Sequence, residues 1–260
     1  MLKPIYIKIC RYLLGKKFMK VMEGPLKGYL WTTASSYAYL LGNYEDPATL
    51  GEFIGWLQAD TVFYDLGGNI GFYALLANRY ITTGKIYSFE PMPASRMIFE
   101  KHLAINRAQI QYHNIRLLPL VISDREKELA FSNETWQMEG NTYITTSPNF
   151  KKATHTISVK CHSIDELVRL GYDPPDVMKI DVEGAEYDVL QGSVDTLKRY
   201  RPRILLATHE CHLPGVRENC VRFLESLGYV LQHTGKHNKR MEGLDDYVAI
   251  PGGVEKVEKI

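Results

Sequence analysis

The pattern of hydrophobic and polar positions divides this chain near residue 61. Beyond it, short β-branched and aromatic runs alternate with stretches whose apolar residues recur at helical spacing. The runs at 61–65, 85–90, 115–123, 177–181 and 204–209 predict strands. The segments at 70–81, 94–106, 185–200 and 216–227 predict helices between them. Ser163, with Glu166 three residues later, forms a capping-box start for a further helix that reaches Leu170. Runs at 128–133 and 156–161 predict two extra strands around a polar insertion, and 229–233 with 247–250 predict a closing pair. Strands separated by helices need crossover connections, so the expected architecture is α/β, a mostly parallel sheet with helices on both faces. Ligands of such sheets lie beyond the carboxyl ends of the strands, and functional residues are sought there.

Residues 1–60 follow a different pattern and read as an N-terminal extension of helices and strands, with 61–260 as the main domain. Lys3, Lys8, Arg11, Lys16, Lys17 and Lys20 punctuate apolar residues, with no acid before Glu23. One reading is a basic amphipathic helix that touches a membrane surface or a partner. The other, favoured here, is a helix packed on the main domain with its lysines in water. Composition changes this picture little: hydrophobic residues make up 45% and charged residues 23% of the chain, enough to bury a core without disulfides or metals. A formal net charge of +1 exerts no global pull toward nucleic acid or anionic membrane. Cys10, Cys161, Cys211 and Cys220 form no C-x-x-C pair, which fits a reduced intracellular protein. No run of about 18 apolar residues and no signal-peptide core is found, so a cytoplasmic location is expected.

Candidate chemistry begins at Asp65-Leu-Gly67-Gly68-Asn69-Ile-Gly71, between the first strand of the main domain and the next helix. Glycines there let the backbone turn sharply and approach a ligand closely. The spacing matches neither a dinucleotide fingerprint nor a Walker loop. Glu90 ends the second strand, placed to accept hydrogen bonds from both hydroxyls of a ribose. With Asp65 and Glu90 on both sides, a diphosphate would be repelled and a cationic cofactor favoured. That charge argument selects the sulfonium of S-adenosylmethionine over a nicotinamide dinucleotide.

Across the same edge, Asp181, Glu183 and Glu186 follow the fourth strand into a helix. Glu186 reads mostly as a first-turn acid stabilised by the helix dipole. Asp181 and Glu183 lie at the strand end, facing the cleft. His209 ends the next strand, where a cleft role and a satisfied core role compete evenly. Methyl transfer to a hydroxyl needs an aligned acceptor and removal of its proton, and Asp181 and His209 are the two candidate bases. Ser123 and Asp124 close the third strand, where Asp124 either accepts from an adenine amino group or simply forms a turn.

The stretches Asp65-Leu-Gly-Gly-Asn-Ile-Gly-Phe-Tyr73, Ser88-Phe-Glu-Pro91, Val121-Ile-Ser-Asp124 and Lys179-Ile-Asp-Val-Glu-Gly-Ala-Glu186 resemble the FkbM family of methyltransferases, as does the upstream Leu41-Gly-Asn-Tyr-Glu45. The resemblance implies a class I methyltransferase fold, a Rossmann-like, mostly parallel seven-stranded sheet whose last strand is antiparallel. It implies cofactor contacts from Asp65, Gly67, Asn69, Gly71, Glu90, Ser123, Asp124 and Asp181. The methionine moiety and the acceptor would meet at Asp181 and Glu183, with Glu183 on the substrate side. The family usually carries an acid two residues before the histidine, where this chain has Ala207, which weakens the case for His209 as base. Glu210 could substitute, but period-two geometry aims it at the opposite face.

No metal is expected. His209, Cys211 and His212 offer only three close donors for zinc. Acids such as Asp181, Glu183 and Glu186 could hold Mg²⁺, but helix starts often carry them without one. Asp173-Pro-Pro-Asp176 reads as a turn. Residues 132–156, with Trp136, Tyr143 and Phe150, read as a lid or acceptor loop suited to a sugar. The expectation is therefore an S-adenosylmethionine-dependent O-methyltransferase acting on a small molecule or saccharide. The alternatives are a nicotinamide-dependent oxidoreductase or a non-catalytic cofactor-binding module. A nucleic-acid substrate is disfavoured by the balanced charge and the missing stacking motif.

Overall fold

A computed structural model describes residues 2–13, 15, 17–132, 156–235 and 243–253. Helix α1 (Leu2–Lys8) runs on as a π-helical turn (Ile9–Leu13), and β1 (Phe18–Lys20) pairs antiparallel with β2 (Leu30–Thr32). Two helices follow, α2 (Tyr37–Leu41) and α3 (Pro47–Trp56). Asp46 starts α3 by accepting from the N–H groups of Ala48 and Thr49, while Pro47 occupies a position that has no N–H to satisfy.

The main domain then runs β3 (Val62–Leu66), α4 (Phe72–Ala77), β4 (Lys85–Phe89), α5 (Pro93–Ile105), β5 (Ile115–Leu118), β6 (Val121–Ile122), β7 (Lys127–Ser132) and β8 (Thr156–His162). It continues through α6 (Ile164–Arg169), β9 (Val177–Ile180), α7 (Glu186–Gln191), α8 (Val194–Arg199), β10 (Arg203–His209), α9 (Val216–Ser226), β11 (Tyr229–Gly235) and β12 (Leu244–Pro251). Seven strands form one sheet in the order β11-β12-β10-β9-β3-β4-β5. The contacts among β10, β9, β3, β4 and β5 are parallel, and β12 inserts antiparallel between β10 and β11.

Three expectations needed correction. The 115–123 run is two strands, because Pro119 has no N–H to continue the ladder and turns the chain out of the sheet. β6 instead joins β8 and β7 in a separate three-stranded sheet. The 185–200 helix is two helices broken at Gly192-Ser193, where a Cβ on Gly192 would stand 2.1 Å from the Ser123 carbonyl. The first main-domain helix starts at Phe72, since Gly67, Asn69 and Gly71 all hold positive φ and keep the preceding loop out of helix. Of the expected lid at 132–156, residues 133–155 with Trp136, Tyr143 and Phe150 lie outside the described residues.

Strand alternation sends side chains to both faces of the sheet, and each face has its own core. Phe63, Ile86, Val177, Leu205 and Val248 face α4, α5 and the N-terminal segment, where Trp31 and Phe53 are fully buried. Tyr64, Tyr87, Met178, Ile204 and Leu206 face α6 to α9. His102 of α5 ties the N-terminal segment to the domain: its Nδ1–H donates to Ile70 O at 2.8 Å, its Nε2 accepts from Thr32 N at 3.0 Å, and Trp31 stacks on its ring. Burial holds its pKa down to about 4, so it stays the neutral tautomer those two bonds require.

α1 packs as favoured, with Ile7 and Cys10 buried, yet not only lysines face water there: Ile5, Tyr6, Ile9 and Tyr12 are exposed beside Lys3 and Lys8. No described helix is long and apolar enough to cross a membrane. The Asp173-Pro-Pro-Asp176 turn clamps the amino ends of the strands. There Asp173 receives Lys85 and the Tyr87 hydroxyl, and Asp176 receives Val62 N. It lies at the opposite edge from the cleft.

Candidate active site

The sheet order reverses between β3 and β9, since β3 leads to β4 on one side while β9 and β10 lie on the other. A crevice opens at the carboxyl ends of the strands where such a reversal occurs. The 67–71 loop leaves β3 there, Glu90 leaves β4, Asp181 leaves β9, and His209 ends β10. Four of the segments singled out in the sequence are thus delivered to one edge.

The loop is built on backbone hydrogen bonds to the neighbouring strand. Gly67 and Gly68 both donate to Phe89 O at 3.0 Å, and Gly71 N donates to Gly68 O before α4 begins. At Gly67 φ is +83°, and a Cβ would stand 1.9 Å from the Asp181 carbonyl oxygen. Only glycine lets the two strand ends meet this closely. Asp65, 1% exposed, accepts from Ser88 Oγ at 2.9 Å, and burial raises its carboxyl despite the nearby Lys179.

Glu90 accepts from Asn69 N at 2.8 Å through Oε2 and from Met92 N at 2.7 Å through Oε1. These bonds explain the left-handed Asn69 (φ 46°), whose N–H is turned back onto the carboxylate. Burial pushes the Glu90 carboxyl up to about 7, against those two N–H groups. Each oxygen keeps a second lone pair for a ligand hydroxyl.

On the other side, Lys179 bonds Asp181 Oδ2 at 2.7 Å and sits 4.8 Å from the centre of the Tyr73 ring. Burial works against its charge, but Asp181, Asp65 and Glu45 outweigh it and hold the ammonium protonated. Pairing Oδ2 leaves Asp181 Oδ1 turned to His209, 3.5 Å from Nε2. Glu183 Oε2 also lies 3.5 Å from Nε2 and 3.0 Å from Nδ1 of His212, whose ring stacks on His209. A left-handed backbone at Glu183 (φ 56°) curls that carboxylate back toward the two imidazoles.

Glu186 is the main addition to the site. It is fully buried, and its Oε1 accepts from Gly184 N at 2.9 Å and from His209 Nδ1 at 2.7 Å. It is the first-turn acid of α7 expected from the sequence and, in addition, the buried orienting partner of His209. Burial opposes a charged imidazole, but Glu186, then Glu183 and Asp181, hold the His209 pKa up to about 10.

Residues 65–233 match the family model described as the methyltransferase FkbM domain. The chain belongs to the FkbM methyltransferase family. It is 29% identical over 150 residues to Methyltransferase 1 of Beauveria bassiana, a match spanning 52% of this chain and 59% of that protein. It is 30% identical over 148 residues to the hexuronic acid methyltransferase AglP of Haloferax volcanii, spanning 54% of this chain and 53% of the other. The match thus spans little more than half the length of these curated relatives. Among solved structures, the FkbM methyltransferase of Methylobacillus flagellatus KT superposes with a TM-score of 0.52 at 14% identity, covering 74% of this chain and 44% of that one. At that identity the likeness shows the fold, which is the class I methyltransferase architecture expected.

In this FkbM family member, Ser123 and Asp124 stand apart from the cluster. Ser123 is buried with its N–H on His162 O, and Asp124 is paired with Lys127 and Arg125. Burial favours the protonated acid, but Lys127, Ser123 and Arg125 pull Asp124 below the usual carboxylate range. No bond from either residue to the 65–71 loop or Glu90 is found among the described residues. Glu210 faces away as expected, accepting from Gly215 N and Arg217 N ahead of α9.

Glu45, Lys179 and Asp246 were not assigned roles from sequence. The first two lie inside motifs that carried the resemblance, so their position was a usable signal. Asp246 had none: it stands across the antiparallel ladder from Ala207, on the face His209 shares. With Glu45 and Asp181 it raises the buried Tyr73 hydroxyl, after burial itself. An acid absent at 207 is thus present on the neighbouring strand.

Proposed function

We propose that this protein transfers a methyl group from S-adenosylmethionine to a hydroxyl of a small molecule or saccharide. The observation that carries the proposal is the convergence of Asp181, Glu183 and His209 beside Gly67, at the sheet's switch point. Asp65 and Asp181 on either side of the crevice suit a cationic sulfonium, and Glu90 suits ribose hydroxyls. The Haloferax volcanii relative is named for a hexuronic acid, a polyhydroxylated sugar, which supports a saccharide acceptor. The four cysteines form no disulfide, which fits a reducing cytoplasm.

In the proposed reaction the acceptor oxygen attacks the methyl carbon in line. The C–S bond breaks with its electron pair returning to sulfur, the O–C bond forms, and the hydroxyl loses its proton. We assign Asp181 to receive that proton, and His209, held protonated by Glu186, Glu183 and Asp181, to offset the charge that develops on the acceptor oxygen. The chain's own contribution is chiefly alignment of the two reactants.

Isothermal titration with S-adenosylmethionine should show one site per chain, and absence of binding at millimolar concentration sinks the proposal. The affinity should also report Glu90. Ribose hydroxyls donate to the ionised carboxylate, so binding favours the deprotonated form. Affinity is expected to be flat above about pH 7 and to fall by up to about tenfold per unit below it. Glu90→Gln should bind more weakly and lose the dependence, because an amide oxygen can serve only one of the two N–H groups. A wild-type affinity flat from pH 5 to 9 removes Glu90 from the cofactor site.

A further inference from the structure

We propose that Asp181 Oδ1, Glu183 Oε2 and His209 Nε2 form a binding site for a divalent metal ion, with Mn²⁺ as its probe. The inference deepens the methyl-transfer reading, and rests on it only for the ion's use.

The three donors lie within 4.8 Å of one another, and Nε2 is 3.5 Å from each carboxylate oxygen. Three ligands held about 2.1 Å from one ion stand about 3.0 to 3.4 Å apart, so the two Nε2 distances already nearly fit and the carboxylates close inward on the ion. An imidazole with two carboxylates suits first-row divalent ions better than an all-oxygen Ca²⁺ cage.

A second observation separates this from a chance group of acids. His209 is only 3% exposed, and the contacts of Nε2, its cleft-facing nitrogen, are long ion pairs of 3.5 Å to the Asp181 and Glu183 carboxylates, with no short hydrogen bond among the described residues. Its other nitrogen donates to the fully buried Glu186. That leaves Nε2 facing the two carboxylates, so an ion entering there displaces the Nε2 proton and takes its lone pair, with Glu186 behind the ring as in the carboxylate–histidine–metal arrangement.

The remaining contacts aim the carboxylates. Lys179 takes Oδ2 of Asp181 and leaves Oδ1 facing the site. His212 Nδ1 lies 3.0 Å from Glu183 Oε2 on the far side. Glu45, Asp65, Asp181, Glu183 and Glu186 crowd around Lys179 and His209, an excess of negative charge that favours a divalent ion. With three protein ligands, further positions are open to the acceptor oxygen. Binding there lowers a hydroxyl's pKa, which a carboxylate base alone does poorly for an aliphatic alcohol.

The test is Mn²⁺ titration of the full chain, followed by the electron paramagnetic resonance signal of the free ion, without cofactor or acceptor. One ion per chain is expected. Glu183 is partly exposed, so Glu183→Gln should fold, and it should weaken binding by at least about tenfold. Asp181→Asn should do likewise. Glu186→Gln keeps all three donors but changes the group behind His209, and should weaken binding about 10- to 100-fold. Glu218→Gln, an exposed acid on α9, should change nothing. No bound ion at millimolar Mn²⁺, or equal affinity in wild type and Glu183→Gln, overturns the site. If Mn²⁺ binds as described while S-adenosylmethionine does not, the methyl-transfer reading fails and the metal site stands; the converse result separates them the other way.

Discussion

Glu186→Ala is expected to destabilise the protein by about 3–5 kcal/mol and to lower its melting temperature by about 10 °C. The size follows from burial. Glu186 and His209 are 0% and 3% exposed, and their 2.7 Å bond joins groups that water cannot reach. Removing the acid strips the imidazole of its closest counter-charge and leaves Gly184 N without its acceptor. Turnover should fall with it, because nothing then fixes which nitrogen of His209 faces the crevice. The less disruptive Glu186→Gln should lower kcat by about 100-fold while leaving the affinity for S-adenosylmethionine within about twofold.

The pair also has a pH signature. His209 has its folded pKa raised from the ordinary 6.5 to about 10, so its stabilisation is complete below about 6.5 and is lost as pH rises through 10. The gap between wild type and Glu186→Ala, followed by urea denaturation, should narrow across that window. A Glu186→Leu and His209→Leu double variant should recover most of the stability and none of the activity, since no charge is left buried alone. A Glu186→Ala protein within 1 kcal/mol of wild type would show that the pair contributes no net stability.

Gly67→Ala is expected to weaken S-adenosylmethionine binding by more than about 100-fold and to destabilise the fold by about 2–4 kcal/mol. Two effects add there. An alanine at φ +83° costs about 1–2 kcal/mol in any surroundings. Its Cβ would also stand 1.9 Å from the Asp181 carbonyl, so the loop or the β9 end must move, and both line the crevice. Gly171→Ala separates the terms: its φ is +94° but nothing lies within 4 Å of the added methyl group. It should show the conformational cost alone. Equal melting temperatures for the two variants would mean that the close approach to Asp181 carries no energy.

The central strands β3, β4, β9 and β10 were legible because each is a short, mostly apolar run buried on both faces. Boundaries failed where a single backbone property overrode the pattern: Pro119 inside a predicted strand, Gly192 inside a predicted helix, and left-handed residues ahead of α4. Asp65, Gly67, Asn69, Gly71, Glu90, Asp181 and Glu183, singled out in the sequence, reach the crevice because each lies at a strand end or within a few residues of one. Glu186 was read correctly as a first-turn acid, but its bond to His209 was missed, because in sequence such an acid looks the same whether it is buried or solvated. Asp246 was not found at all, since its place opposite Ala207 depends on the register of an antiparallel pair.

By itself the sequence determined the alternation of strands and helices, the family, and which segments reach the carboxyl edge of the sheet. These are local properties: periodicity, glycine spacing and contiguous motifs all act within a few residues. Only the tertiary structure decided that His209 is held by Glu186, that Lys179 turns one oxygen of Asp181 toward the crevice, and that Asp181, Glu183 and His209 share one point. Those contacts join residues from different strand ends, or depend on one left-handed dihedral at Glu183. The distances that matter for chemistry are set by packing and register, which a linear pattern constrains only through the fold as a whole.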